Sequence, residues 1–84
     1  MARLIPARGV MLTIKPANGR EFTLEEMQKY VGGYVEEIRG LKGEIILADE
    51  DGLAKRLCPN IEASEIAGRW IVGDVLIVEP TEIS

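Results

Sequence analysis

The sequence of 84 residues contains no histidine, one cysteine and four aromatic residues. Histidine is the most common general base near neutral pH, and it is also the usual activator of a nucleophilic thiol, so its absence argues against an enzyme. The single cysteine, Cys58, cannot form an internal disulfide, which excludes a small secreted disulfide scaffold. We therefore expect no catalytic residue, no metal and no cofactor, and a core made of aliphatic side chains.

The chain also lacks a long apolar run and an excess of positive charge. Its longest apolar window, residues 70–78, is interrupted by Gly73-Asp74 and is far shorter than the ~20 residues that span a bilayer. Residues 1–8 lack the apolar run of a signal peptide, so we expect a cytoplasmic location and no membrane partner. The net charge of −4 argues against duplex nucleic acid as a partner, because neutralising phosphates requires a basic face.

Residues 23–31 carry the signals of a short helix. Thr23 and Glu26 have the spacing of a capping box, in which each side chain bonds the backbone N–H of the other residue. One predicted face is mainly apolar and contains Leu24, Met27, Gln28 and Val31. Gly32-Gly33 then predicts the helix end, because glycine adopts a left-handed C-cap without steric cost. The alternative, that these glycine amides bind an anion, is disfavoured because a strand follows them rather than a helix.

The remaining elements are predicted strands and one further helix. Residues 10–15, 34–39, 44–48 and 69–79 are rich in β-formers, and Gly73 in the last predicts a bulge or a close backbone approach. Asn60 is a favourable N-cap for a helical turn at about residues 61–67, which Gly68 ends.

Together these elements predict an α+β fold. We expect a small antiparallel sheet of four to five strands, with the helix at about residues 23–31 on one face and the second helical turn at about residues 61–67. One domain covers residues 1–84, with residues 1–8 and 80–84 as flexible tails. A helix of two turns cannot cover such a sheet, so we expect a partner chain on the uncovered face or on the second half of it.

The acidic stretch at residues 49–52, Asp-Glu-Asp-Gly, predicts a solvated turn between two elements. It lacks the alternating oxygen ligands and the distal glutamate of an EF-hand, so the cation-binding alternative is disfavoured. The sequence of residues 53–57 fits either a short strand or a loop.

Several of these segments occur in the same order in a known family. They are Thr23-Leu24-Glu25-Glu26, Val31-Gly32-Gly33-Tyr34-Val35-Glu36, Asp49-Glu50-Asp51-Gly52 and Leu57-Cys58-Pro59-Asn60, followed by an apolar strand. The sequence resembles the domain of unknown function 3846 family over roughly residues 11–78. It departs from the family's usual pattern at Asp49, where asparagine is common, and at Cys58, where proline is common. The resemblance implies a small protein of phages, plasmids and Gram-positive bacterial genomes, and it implies no biochemical activity.

Basic and aromatic residues near the predicted strand ends are the candidates for ligand binding. The basic set is Arg39, Lys42, Lys55, Arg56 and Arg69. If those strand ends converge, the set forms a cationic pocket for a small phosphorylated ligand, and otherwise its members are scattered surface charges. Tyr34 and Trp70 either stack on a base or fill the core, and Cys58 is expected to be buried or half-buried. The predicted ligand-binding residues are Tyr34, Glu36, Arg39, Arg56, Asn60 and Arg69.

These residues and the resemblance together favour a non-enzymatic binding protein. We expect a homo-oligomer of a phage or mobile element that captures a nucleotide-derived immune signal, such as a cyclic nucleotide or an ADP-ribose-type molecule. Such capture would counter a host defence system. One alternative is a protein–protein inhibitor or adaptor that docks on a host enzyme. The other is an accessory domain without a ligand.

Overall fold

The computed structural model describes residues 1–83 as five strands, two α-helices and a terminal 3₁₀ turn. In chain order these are β1 (Ala2–Ile5), β2 (Leu12–Ile14), α1 (Leu24–Val31), β3 (Val35–Arg39), β4 (Ile45–Asp49), α2 (Ile61–Ala67), β5 (Val75–Val78) and the 3₁₀ turn Pro80–Glu82. Neighbouring strands pair antiparallel in the order β2-β1-β5-β4-β3. The predicted α+β class is confirmed.

The two helices lie on opposite faces of this sheet. On β4, Ile45 and Leu47 belong to the apolar cluster that contains α1, whereas Ile46 and Ala48 belong to the cluster that contains α2. Because successive residues of a strand point to opposite faces, the two clusters lie on different sides. The prediction of an uncovered face was wrong, since α2 packs on the second face. The core is aliphatic as predicted, and Phe22 is the one aromatic side chain buried within residues 1–83.

The predicted flexible tails are largely part of the fold. Ala2–Ile5 form β1, which pairs with β2 on one side and with β5 on the other. A strand between two neighbours satisfies its backbone N–H and C=O groups, so the prediction for residues 1–8 was wrong. At the other end, Glu82 is buried in the 3₁₀ turn and its backbone oxygen accepts the Phe22 N–H at 2.7 Å. Ser84, the last residue of the second predicted tail, lies outside the described residues.

The first helix has the predicted caps. Thr23 Oγ1 accepts the Glu26 N–H at 3.1 Å, and Glu26 Oε1 accepts the Thr23 N–H at 3.0 Å. The backbone N–H groups of Thr23 and Ala17 lower the pKa of Glu26 by hydrogen bonding its charged form. Gly32 ends α1 with a φ of 91°. The predicted apolar face was wrong at Leu24, which is exposed because α1 packs on the sheet through its later residues.

The last strand is shorter than residues 69–79, because only Val75–Val78 pair within the sheet. Gly73 precedes it with a φ of 80°, and its N–H bonds the Cys58 oxygen at 2.7 Å. A Cβ at this position would lie 2.7 Å from Leu57 Cδ1, so the predicted close backbone approach is confirmed. Among the helices that the structure describes, none combines the length and apolar character that crossing a membrane requires.

Candidate functional site

An open groove lies at one end of the sheet, where β1 and β4 end and β3 and β5 begin. Its volume is about 390 Å³, and its lining combines backbone and apolar atoms with four charged side chains, those of Arg8, Asp49, Lys55 and Asp74. We call it the sheet-end groove. Its wall at β1 is fixed by a hydrogen bond of 2.9 Å from the Ala7 N–H to Asp74 Oδ1. The antiparallel pairing of β1 with β5 therefore brings Arg8 to a site made mostly by later residues.

An ion pair between Lys55 and Asp49 forms part of the groove wall. Lys55 Nζ lies 2.7 Å from Asp49 Oδ2 and also donates to the Gly32 carbonyl oxygen at 3.2 Å. The Asp49 side chain is 1% exposed and the Lys55 side chain is 42% exposed. The ammonium group thus ties the end of β4 to the C-terminal end of α1, where helix carbonyls favour a cation.

Asp49 keeps its negative charge although it is buried. Burial raises the pKa of Asp49, but hydrogen bonds from Lys55 and from the Asp51 N–H outweigh that effect and leave the pKa below its usual value. The prediction of a fully solvated turn was wrong at this residue. Strand β4 continues through Asp49, which pairs with Val35, and of the acidic stretch only Glu50 and Asp51 reach solvent.

Gly33 leaves the space that this ion pair occupies. A Cβ on Gly33 would lie 2.5 Å from Lys55 Nζ and 2.9 Å from Asp49 Oδ2. We expect Gly33→Ala to displace the ammonium group and to lower the free energy of unfolding by about 1–2 kcal/mol. Urea denaturation of the unaltered protein and of Gly33→Ala measures this loss.

Gly32→Ala is the matched control. It introduces the same methyl group at a left-handed φ of 91° with nothing within 4 Å, so its cost of about 1 kcal/mol is backbone strain. The effect of Gly33→Ala should become smaller when Lys55 is already replaced by methionine, because the contact with Nζ is removed while the contact with the Asp49 carboxylate remains, whereas that of Gly32→Ala should not depend on Lys55. If each glycine change lowered the free energy of unfolding by the same amount with and without Lys55→Met, the steric explanation would be contradicted.

A second groove of about 330 Å³ shares Lys55 and lies beside the start of β3. Gln28, Gly33, Tyr34 and Asp51 form the rest of its lining, and we call it the Tyr34 groove. The Tyr34 side chain is exposed, while its backbone oxygen accepts the Glu50 N–H at 2.8 Å. The core-filling alternative for Tyr34 was therefore wrong. Its ring presents a planar apolar surface on a fixed stretch of backbone.

The predicted ligand-binding residues are distributed over the molecule rather than gathered in one pocket. Arg39 lies at the far end of β3, about 16 Å from Tyr34 at about 3.3 Å per residue, and pairs with Glu37 at 3.4 Å. Arg56 is exposed in the turn after β4, at a positive φ of 58°, and it lines neither groove. Of the two alternatives for the basic residues, the fold therefore produces scattered charges rather than one cationic pocket.

Glu36 and Arg69 lie together on the face of the sheet that carries α2. They line a shallow depression of about 60 Å³ with Leu53 and Trp70, and we call these four residues the Trp70 patch. Leu53 and Trp70 are 72% and 58% exposed. The core-filling alternative for Trp70 was wrong, because residues 69–74 form a loop ahead of β5 instead of extending the strand.

Asn60 has a structural role that occupies its whole side chain. Its Oδ1 accepts the Ala63 N–H at 3.0 Å, and its Nδ2 donates to the carbonyl oxygens of Ile5 and Gly73 at 2.9 and 2.8 Å. The residue is 1% exposed. The predicted N-cap is confirmed, and the predicted ligand contact was wrong because no side-chain donor remains free and the site is closed to solvent.

Two residues of the sheet-end groove were missed or misplaced by sequence reasoning. Arg8 fell in a predicted tail, and no local signal indicates that the fold places it in the same groove as Asp74. Cys58 was predicted to be buried or half-buried but is exposed at the groove wall. Within residues 1–83, no three histidine, cysteine, aspartate or glutamate side chains are grouped in a way that could hold a metal ion.

The arrangement defines a small α+β sheet protein with helices on both faces and an open groove at one sheet end. The chain belongs to the family described as domain of unknown function (DUF3846), whose sequence model matches residues 9–83. The resemblance to this family is thereby confirmed. Searches of curated proteins and of solved structures returned no match to the chain.

Proposed function

We propose that this protein is a non-catalytic, cytoplasmic binding protein that captures a nucleotide-derived signalling molecule. The two adjoining grooves at the sheet end are the binding site, and the observation that carries the proposal is the exposed Tyr34 ring beside Lys55. Capture of an immune signal by a homo-oligomer encoded on a mobile element is the biological form of this proposal. The proposed binding residues are Tyr34, Lys55 and Arg8, and they take the place of the predicted arginines Arg39, Arg56 and Arg69.

The size and shape of the grooves suit a mononucleotide-sized ligand. Small-molecule sites usually measure about 300–1,000 Å³, and these grooves measure about 390 and 330 Å³ with Lys55 between them. An exposed tyrosine ring accepts any base by stacking, because every base has a π face. A base on Tyr34 would leave the sugar and phosphate near Lys55 and, beyond it, Arg8.

The charge of the grooves limits the ligand to few phosphates. In the sheet-end groove, the cations Arg8 and Lys55 are balanced by the anions Asp49 and Asp74. Lys55 already uses two of its three donors on Asp49 and Gly32, which leaves one for a ligand oxygen. The Asp74 carboxylate, which is exposed and bonds Ala7 through Oδ1, can accept a hydrogen bond from a ribose hydroxyl. Such a lining favours cyclic nucleotides and ADP-ribose derivatives over polyphosphates.

Calorimetry with cyclic dinucleotides and ADP-ribose derivatives tests the proposal. We expect one of them to bind, and we expect Tyr34→Ala to weaken the binding of that ligand about 5–150-fold, because base stacking contributes about 1–3 kcal/mol. Arg8→Ala should weaken phosphate-bearing ligands as well. Lys55 is not used in this test, since its ion pair with Asp49 also supports the fold.

Arg39→Ala and Arg69→Ala are the matched controls. Both remove an arginine as Arg8→Ala does, but Arg39 lies at the other sheet end and Arg69 on the other face. We expect the ligand affinity of both to equal that of the unaltered protein. Absence of binding to every compound, or an equal loss in Arg8→Ala and Arg39→Ala, would contradict the proposal.

The Trp70 patch supports a second candidate, docking on another protein. Tryptophan and arginine are enriched among the residues that dominate protein interfaces, and here an exposed Trp70 adjoins Arg69, Glu36 and Leu53. A host enzyme that binds the protein but not its Trp70→Ala variant favours docking. A small molecule whose affinity depends on Tyr34 favours capture. An accessory domain without a ligand predicts neither result.

A further inference from the structure

The outer edge of β3 offers backbone hydrogen-bonding groups to a further strand. The sheet order places β3 at one end, where it pairs with β4 alone. At both ends of this pairing, the bonds to β4 come from even-numbered residues. The Tyr34 oxygen accepts the Glu50 N–H at 2.8 Å, and the Gly40 N–H bonds the Glu44 oxygen at 2.8 Å.

The alternation of an antiparallel ladder then identifies which groups face outward. Residues directly opposite each other alternate between hydrogen-bonded and non-hydrogen-bonded pairs. Tyr34, Ile38 and Gly40 share the parity that bonds β4, so the backbone groups of Val35, Glu37 and Arg39 point to the open edge. Any strand added to this edge must bond those three residues.

Glu37 and Arg39 give this edge a charge pattern of alternating sign. Both side chains are exposed and lie on the face that carries α1, with Arg39 Nη2 at 3.4 Å from Glu37 Oε2. In an antiparallel pairing of this strand with itself, side chains that share a face come directly opposite each other. The charges therefore select among the possible registers.

One register of self-pairing is complementary. Centred on Ile38, it places Glu37 opposite Arg39 of the second copy and Arg39 opposite Glu37 of the second copy, and both pairs are hydrogen-bonded positions. Registers centred on Glu37 or on Arg39 place like charges opposite each other. A register centred on Glu36 places two glutamates together on the other face.

We propose that the β3 edge is a self-association surface on which two copies of the chain pair about a two-fold axis at Ile38. The two sheets then form one continuous sheet, and the four charges of Glu37 and Arg39 alternate across the junction. This dimer gives a surface and a register to the homo-oligomer of the proposed function. The inference rests on the proposed function only for the biological role of the dimer. Because the paired strands are short, the dimer is weak and forms at high protein concentration.

Charge reversals at this edge give a direct test by sedimentation equilibrium at up to about 1 mM protein. Glu37→Arg places like positive charges opposite each other, and Arg39→Glu places like negative charges opposite each other. We expect each variant alone to be monomeric at concentrations where the unaltered protein dimerises. An equimolar mixture of the two variants should form a heterodimer, because every opposed pair is then of opposite sign.

Glu25→Arg makes the same charge change on the outer face of α1 and should dimerise as the unaltered protein does. The proposal is overturned if the unaltered protein remains a monomer, if both single variants still dimerise, or if their mixture does not associate. Circular dichroism checks that all variants are folded. Calorimetry on Tyr34→Ala tests ligand capture, and the mass of Glu37→Arg tests self-association. Either proposal can therefore be contradicted while the other stands.

Discussion

Replacing Asn60 by alanine should lower the free energy of unfolding by about 3–5 kcal/mol and the melting temperature by about 15–30 °C. The side chain is buried and makes three hydrogen bonds, to the Ala63 N–H and to the carbonyl oxygens of Ile5 and Gly73. Loss of the cap alone costs about 1 kcal/mol, and each of the two buried carbonyls left without a donor adds about 1–2 kcal/mol. For a domain of this size the total stability is about 4–13 kcal/mol, so the variant approaches unfolding.

Two further variants separate the roles of the Asn60 side chain. Asn60→Asp keeps the capping oxygen and the shape but removes the amide donors to Ile5 and Gly73, so we expect most of the loss to persist. Asn18→Ala is the control, because Asn18 Oδ1 also accepts two backbone N–H groups, at 2.9 and 3.0 Å, but lies on the surface. Thermal and urea denaturation measure all three. A loss in Asn60→Ala no greater than that in Asn18→Ala would contradict the role of the two carbonyl bonds.

The features that the sequence predicted correctly depend on residues a few positions apart. The Thr23–Glu26 capping box, the glycine that ends α1 and the Asn60 cap are formed by neighbours along the chain, and all three are present. β1 was not predicted, because its four residues contain no turn signal and were therefore interpreted as part of a flexible tail. What makes them a strand is pairing with residues 12–14 and 75–77, which no local pattern indicates.

The grooves could not be predicted for the same physical reason. Arg8 and Asp74 line the same groove because β1 lies between β2 and β5, and the sheet order is a property of the whole fold. Asp49 carried a misleading local signal, since an acidic residue before Glu-Asp-Gly is typical of a solvated turn. Its partner Lys55 is six residues away across a turn, a spacing at which neither helix nor strand geometry predicts a contact.

Replacing Lys55 by methionine should lower the free energy of unfolding by about 1–3 kcal/mol at neutral pH. Methionine keeps much of the apolar stem but leaves the Asp49 carboxylate buried with the Asp51 N–H as its remaining hydrogen-bond partner. Removing one partner of a buried pair costs about 3–5 kcal/mol, and the lower value here follows from the 42% exposure of the Lys55 side chain. Lys42→Met, at an exposed turn lysine, is the control and should change stability by less than about 0.5 kcal/mol.

The loss in Lys55→Met should depend on pH in a direction that the Asp49 pKa sets. The pKa of Asp49 is lowered in the folded protein, so the carboxylate contributes stability above the unfolded value of about 3.9, and this contribution is lost as the pH falls through the lower folded value. Without Lys55, burial is opposed only by the Asp51 N–H and the pKa of Asp49 rises. The difference in unfolding free energy between the unaltered protein and Lys55→Met should therefore be largest near neutral pH and should shrink as Asp49 becomes protonated in both. Urea denaturation across this range measures the difference, and a difference that stays constant would show that Lys55 acts through packing rather than through the charge of Asp49.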